Sequence, residues 1–170
     1  SGLDLYARRD GRWRWAGVAF AQEVPHNEIR VQAGLAPARR EFALYLPLYN
    51  GVEQVQIGVP PEAFVAPAPP RPADAATPVV CYGTSIVMGG CASRVGMAYP
   101  AILGRRLDRP TINLGFSGNG RMEIELAALL GELDAAAYVL DCLPNLEEPL
   151  VTERAAPFVR RLGEAKPDTP

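Results

Sequence analysis

Three residues suited to acyl chemistry stand just after three apolar runs: Ser85, Gly118 and Asn145. Val79 to Tyr82 is a short apolar run between Pro78 and Gly83, the pattern of a buried strand, and Gly83-Thr84-Ser85 turns the chain at its end. A serine held at such a boundary presents its hydroxyl to a substrate and its own N–H to a developing oxyanion. Gly118 lies in Gly115-Phe116-Ser117-Gly118-Asn119-Gly120, after the run Thr111 to Leu114, and offers a backbone N–H with no side chain in the way. Asn145 follows Ala137 to Cys142 and offers a side-chain amide. Each has a plainer reading: a Gly-Ser turn that starts a crossover, a glycine needed for positive φ, an asparagine that caps a helix. Ser, Gly and Asn on three successive strand ends form a more specific pattern, that of a nucleophile with two further donors for a tetrahedral oxyanion.

The elements that would position them follow from the pattern after Pro78. Short apolar strands (Val79 to Tyr82, Thr111 to Leu114, Ala137 to Cys142) alternate with helical segments at Ala98 to Leu107, Glu123 to Leu133 and Thr152 to Leu162. In the first helix Ile102, Leu103 and Leu107 are expected on the buried face, with Arg105 and Arg106 facing water and Pro100 in the first turn. Strand–helix alternation predicts parallel strands with right-handed crossovers, so the loops after the strands gather at the carboxyl end of the sheet. Arg94, in the loop after Ser85, is a weaker candidate for contact with an anionic acyl group or for holding that loop.

Residues 1–65 read as an all-β domain. Gly2 to Tyr6, Asp10-Gly11 and the near-alternating Trp13, Trp15, Val18 and Phe20 make a hairpin. Glu41 to Leu48 is a further strand, and shorter candidates are Glu28 to Val31 and Val52 to Val59. Together they suggest a small, jelly-roll-like sandwich. Residues 66–78 are dense in proline and read as a stiff, extended connector, which leaves 79–170 as the α/β domain.

Composition narrows the function. A net charge of −2 gives no basic excess for phosphate, which argues against nucleic acid as a partner. Arg8, Arg9, Arg12 and Arg14 read as the solvated face of the hairpin. No run approaches the roughly 20 apolar residues that a membrane-spanning helix requires. Cys81, Cys91 and Cys142 lack metal-ligand spacing, and Cys81 and Cys142 read as buried small hydrophobes. His26, the single histidine, sits beside Asn27 in a polar loop before the serine. The Ser1-Gly2 start reads as processed or trimmed.

Several of these blocks resemble the SGNH, or GDSL-type, hydrolases. Gly83-Thr84-Ser85-Ile86 resembles the first block of that family, with Thr84 where the common pattern has Asp. Asn113 to Gly118 resembles the second block, with Gly118 rather than Gly115 at the oxyanion-hole glycine, and Asp141 to Asn145 resembles the third. Gly2-Leu3-Asp4-Leu5-Tyr6 resembles the Gly-x-Asp-Leu-Tyr signature of the β-sandwich that precedes the hydrolase domain in a bacterial subgroup, and Leu46 to Gly51 fits it.

The resemblance implies a β-sandwich followed by the first half of a flavodoxin-like parallel-sheet domain. It implies a serine esterase with Ser85 as nucleophile and Gly118 and Asn145 in the oxyanion hole. It implies no cofactor or metal, and a small-molecule or carbohydrate ester as substrate. A soluble bacterial protein, cytoplasmic or exported, is expected. The family's last block, Asp-x-x-His, has no counterpart here, so the general base is expected outside these residues and the chain to be the N-terminal part of a longer enzyme. Two alternatives stay open. An alcohol can take the acyl group in place of water, giving an acyltransferase. Or Trp13, Trp15, Tyr45 and Tyr49 can stack on sugar rings in a non-catalytic binding module.

Overall fold

The computed structural model describes residues 2–23 and 25–170. The reading of the chain start rests on Ser1 and lies outside them. The chain divides into two compact units: one takes in the chain up to Arg71 together with Ser93–Gly96, the other Pro72–Ala92 and Met97–Pro170.

The first unit is built on a hairpin. Strands β1 (Leu3–Arg9) and β2 (Arg12–Ala19) meet at Asp10 and Gly11, whose φ values of 50° and 71° suit the tight turn that matches strand twist. Strand β3 (Phe42–Tyr45) pairs antiparallel with the other side of β1, giving the order β2-β1-β3. It ends before Pro47, short of the expected Leu48, because proline brings no N–H to a ladder. Asp4 and Tyr6 alternate on the buried face of β1. The pairing slips at Leu5/Tyr6, where Leu5 faces Gly17 and Tyr6 faces Trp15, so Ala16 bulges from β2.

Two expected strands are absent from this sheet. Residues 28–31 pass close to the bulge, where a Cβ on Gly17 would lie 2.5 Å from the Val31 carbonyl oxygen. The Ala16 carbonyl, however, is taken at 2.8 Å by the Gln32 side-chain amide, so no backbone ladder forms there. Residues 52–59 alternate as a strand does but lack a partner strand among the described residues, and Val52, Val55, Ile57 and Val59 are exposed. Alternation sets which way side chains point; it supplies no neighbour to pair with. The proline-rich connector carries a one-turn helix, α1 (Ala73–Ala76).

The second unit is a parallel sheet. Strands β4 (Val79–Gly83), β5 (Thr111–Gly115) and β6 (Ala137–Asp141) lie in the order β5-β4-β6. All five residues of β4 are buried, as expected for a central strand covered on both faces. Four helices accompany it: α2 (Ser85–Met88), α3 (Tyr99–Leu107), α4 (Ile124–Leu130) and α5 (Glu148–Ala165). One core layer gathers Val80, Tyr82, Leu130, Cys142, Phe158 and Leu162, with Tyr82 stacked on Phe158 at 5.5 Å. The other gathers Val79, Cys81 and Val87, with Tyr99 and Leu103 against them. Cys81 and Cys142 are fully buried free thiols, as their apolar surroundings predict.

The buried face of α3 differs from expectation. Leu107 is 53% exposed, and the buried residues are Pro100, Ala101 and Gly104. A Cβ on Gly104 would meet the Arg109 carbonyl at 3.0 Å and Thr111 at 3.2 Å, so the helix approaches β5 too closely for a large side chain there. Helix α5 is longer than expected and contains Pro157, with Phe158 and Leu162 burying its inner side. Among the described residues no helix is long and apolar enough to cross a membrane.

Candidate active site

Ser85 is the first residue of α2, directly after the central strand. Thr84 caps that helix from extended backbone: its Oγ1 accepts the Ile86 N–H at 3.2 Å, and its carbonyl accepts the Met88 N–H at 3.1 Å. Threonine thus serves as a cap where the common family pattern has aspartate. The Ser85 carbonyl accepts the Gly89 and Gly90 N–H groups, which closes the short helix. Asn113 on β5 holds its other end, donating to the Val87 carbonyl at 3.0 Å while accepting the Gly115 N–H at 2.9 Å. Among the described residues, neither the Ser85 hydroxyl nor its N–H has a hydrogen-bond partner.

The loops after the three strands are joined pairwise by hydrogen bonds. The Phe116 N–H donates to the Gly83 carbonyl at 2.8 Å, linking the β5 loop to the end of β4. The Thr84 N–H donates to the Asp141 carbonyl at 3.3 Å, linking β4 to β6. Asn145 Nδ2 donates to the Asn119 carbonyl at 2.7 Å, linking the outer strands' loops. Because β4 lies between β5 and β6, this last bond bridges the loops of its two flanking strands. Gly120 seats the β5 loop: its φ is 71°, and a Cβ there would lie 2.2 Å from the Gly83 carbonyl. Gly118 has φ 74° and open space around it. Arg121 holds the Gly118 carbonyl at 3.1 Å, while the Gly118 N–H donates to none of the described residues. An amide nitrogen carries two hydrogens, so Asn145 fixes itself with one and keeps the other.

Burial, reinforced by Glu123 and Asp141, pushes the Cys142 thiol up to about 11, so it stays protonated at neutral pH. Burial and the adjacent Asp141 carboxylate likewise raise the Tyr99 phenol. Glu123 anchors the back of the β5 loop. Its carboxylate accepts the Tyr82 hydroxyl at 2.9 Å and the Arg121 N–H at 3.1 Å. Burial opposes its charge, but its own N–H, Tyr82 and Arg121 outweigh that and leave its pKa lowered.

Ser85, Gly118 and Asn145 therefore all stand at the carboxyl edge of one sheet. Arg94 belongs to the first unit. Its Nε meets Asp4 Oδ2 at 3.3 Å, its Nη2 meets the Tyr6 hydroxyl at 3.3 Å, and its guanidinium lies over Trp15 at 5.1 Å. His26 is exposed in an irregular segment of the same unit. Sequence reasoning did not single out Asn113, Asn119, Gly120 or Glu123. Only the crowded glycines of the 115–120 loop gave a signal for one of them; the others act through partners far away in the chain.

Residues 76–170 match the GDSL-like lipase/acylhydrolase family, and residues 1–65 match the GxDLY family, described as the N-terminus of SGNH-hydrolase-type esterases. A protein from Bacteroides ovatus ATCC 8483 described as a GDSL-like lipase is 42% identical, with a TM-score of 0.90 over 99% of this chain and 49% of its own. A salicylyl-acyltransferase from a tetracycline biosynthetic pathway has the same fold at 17% identity, with a TM-score of 0.62 over 99% of this chain and 51% of its own. The chain thus spans about half the length of these two solved structures. No curated protein matches. With its parallel sheet, its strand-end loops and its Gly-x-Asp-Leu-Tyr strand, the chain belongs to the GDSL-like lipase/acylhydrolase family.

Proposed function

We propose that the protein is a serine esterase that cleaves carboxylic esters of small molecules or sugars through an acyl-serine intermediate. The observation that carries this reading is the set of linked loops at the sheet's carboxyl edge, which leaves unengaged the groups that acyl transfer uses. Ser85 Oγ attacks the ester carbonyl. The Ser85 N–H, the Gly118 N–H and the second Asn145 amide hydrogen receive the oxyanion. The alcohol departs, and water opens the acyl-serine. Ser85 needs a base to take and return its proton. The Asp-x-x-His block has no counterpart in these residues, so we assign the base, with the acid that orients it, to the further part of an enzyme of the relatives' length. Domain boundaries of 1–65, 66–78 and 79–170 belong to the same proposal. Arg94 is the weaker candidate for substrate contact, because its Nε and Nη2 already meet Asp4 and Tyr6.

The same acyl-serine can be opened by an alcohol, which would make the enzyme an acyltransferase. The test is an aryl-ester assay on the full-length protein, with and without an acceptor alcohol, beside Ser85→Ala. Phenol release that depends on Ser85 and yields free acid supports the esterase. Ester formation that dominates once the alcohol is present supports transfer. Release unaffected by Ser85→Ala overturns both, and glycan binding without turnover would favour a binding module.

A further inference from the structure

The Asp of the Gly-x-Asp-Leu-Tyr strand has three donors on it. Asp4 is 1% exposed. Its Oδ1 accepts the Trp15 indole N–H at 2.9 Å. Its Oδ2 accepts Arg94 Nε at 3.3 Å and the Gly96 backbone N–H at 3.0 Å. Two of these donors come from Ser93–Gly96, a segment grouped with the first unit although the chain on both sides of it belongs to the second. The same chain leads back through Gly89–Ala92 to the helix that Ser85 opens. Gly96 has no room for a side chain: a Cβ would lie 2.5 Å from the Tyr6 ring and 2.7 Å from Asp4 Oδ2. At the far end, Asn113 holds the carbonyl of Val87. The loop that follows the nucleophile is thus tied at both ends, with three of its residues (Gly89, Gly90 and Ala92) carrying little side chain to stiffen it between the ties.

We propose that Asp4 is a positioning residue for the reaction, acting through Arg94 and Gly96 to hold the loop that follows Ser85. The Gly-x-Asp-Leu-Tyr strand then serves the acyl-transfer step without touching the substrate. The proposal rests on the esterase reading, and its test separates the two. Arg94 is paired with a buried carboxylate of opposite charge, so a net anion site at this place is disfavoured. A tie accounts for the Gly96 contact, which a ligand-binding role for Arg94 does not.

The sharpest variant is Gly96→Ala, which keeps every charge and crowds the joint with Asp4 and Tyr6. Arg94→Ala, with Arg94→Lys as the conservative partner, covers the case in which Gly96→Ala fails to fold. Backbone hydrogen exchange is read over residues 89–96 in the full-length protein, together with kcat and KM for an aryl ester. The expected result is faster exchange that reaches Gly89–Ala92, with kcat down about tenfold or more and KM changed less than twofold, because misplacement of reacting groups by about an ångström costs that much or more. Arg94→Lys should recover part of the loss that Arg94→Ala causes. Faster exchange confined to residues 93–96, or unchanged kcat beside faster exchange at 89–92, would overturn the proposal. Turnover that persists in Ser85→Ala would instead overturn the esterase reading, and the exchange pattern would still decide whether the tie transmits.

Discussion

Asp4 in the first unit and Asn145 in the second use a polar side chain in opposite ways. Asp4 is buried, and its two oxygens take three donors from two separate stretches of chain. Asn145 is half-buried; it gives one amide hydrogen to Asn119 and keeps the other. Ser85 and Gly118 behave as Asn145 does, with N–H groups that the described residues do not use. A buried carboxylate without partners costs stability, so Asp4 is satisfied internally, whereas the exposed Gly118 N–H and the half-buried Ser85 and Asn145 groups lie where water or a ligand can reach them. The contrast sets a residue whose polar atoms are taken up within the fold beside residues that we propose meet substrate.

Substitutions can break this contrast. Ser85→Ala should have the largest effect: a loss of about 10⁴-fold or more in kcat for an aryl ester in the full-length enzyme, as for removal of other catalytic nucleophiles. Its Tm should stay at the wild-type value, because the hydroxyl supports nothing in the fold. Asn145→Ala should cost about 10²–10³-fold in kcat, the usual loss for one oxyanion donor. A fall in Tm larger than its fall in activity would instead make the Asn119 bond its main role. Asp4→Ala reverses the pattern and should lower unfolding free energy by about 2–3 kcal/mol in denaturant titration, since Arg94, Trp15 and Gly96 lose a shared partner. Asp4→Ala with wild-type stability would erase the distinction between the two regions.

The smallest effect concerns pH. The pKa of Glu123 is lowered in the folded protein, so its contribution to stability is present above the unfolded carboxylate range and is lost as pH falls through its folded value. Wild-type Tm should drop on acidification below about pH 4, where folded and unfolded carboxylates begin to differ in protonation. Glu123→Gln should show a shallower drop over the same range. Identical slopes would mean that Tyr82 and Arg121 hold this side chain without favouring its charge.

Much of the second unit was legible because its signals are local. Val79 to Tyr82 carries its own strand pattern, and parallel alternation places Ser85, Gly118 and Asn145 at one edge without knowledge of any contact. Asp10-Gly11 likewise fixes a turn by itself. Features that depend on a distant partner were not legible. Asp4 and Arg94 are 90 positions apart, and nothing in either neighbourhood names the other. Residues 52–59 have the alternation of a strand, but pairing requires a free neighbouring edge, which local pattern does not report. Leu107 fits the apolar stripe of α3 and is exposed nonetheless, because the close approach at Gly104 rotates the contact face onto smaller residues.

The two glycines at the tip of the β5 loop have a consequence for how the family's variation is read. Gly118 and Gly120 have nearly the same left-handed φ, 74° and 71°, yet only Gly120 is pressed against backbone. In a saturation library scored for folding alone, Gly120 should tolerate no other residue, whereas Gly118 should accept asparagine, which adopts that conformation at modest cost. The position most restricted in such a library would then not be the one assigned to chemistry. Tolerance maps that rank sites by restriction would point two residues away from the glycine proposed as the oxyanion donor.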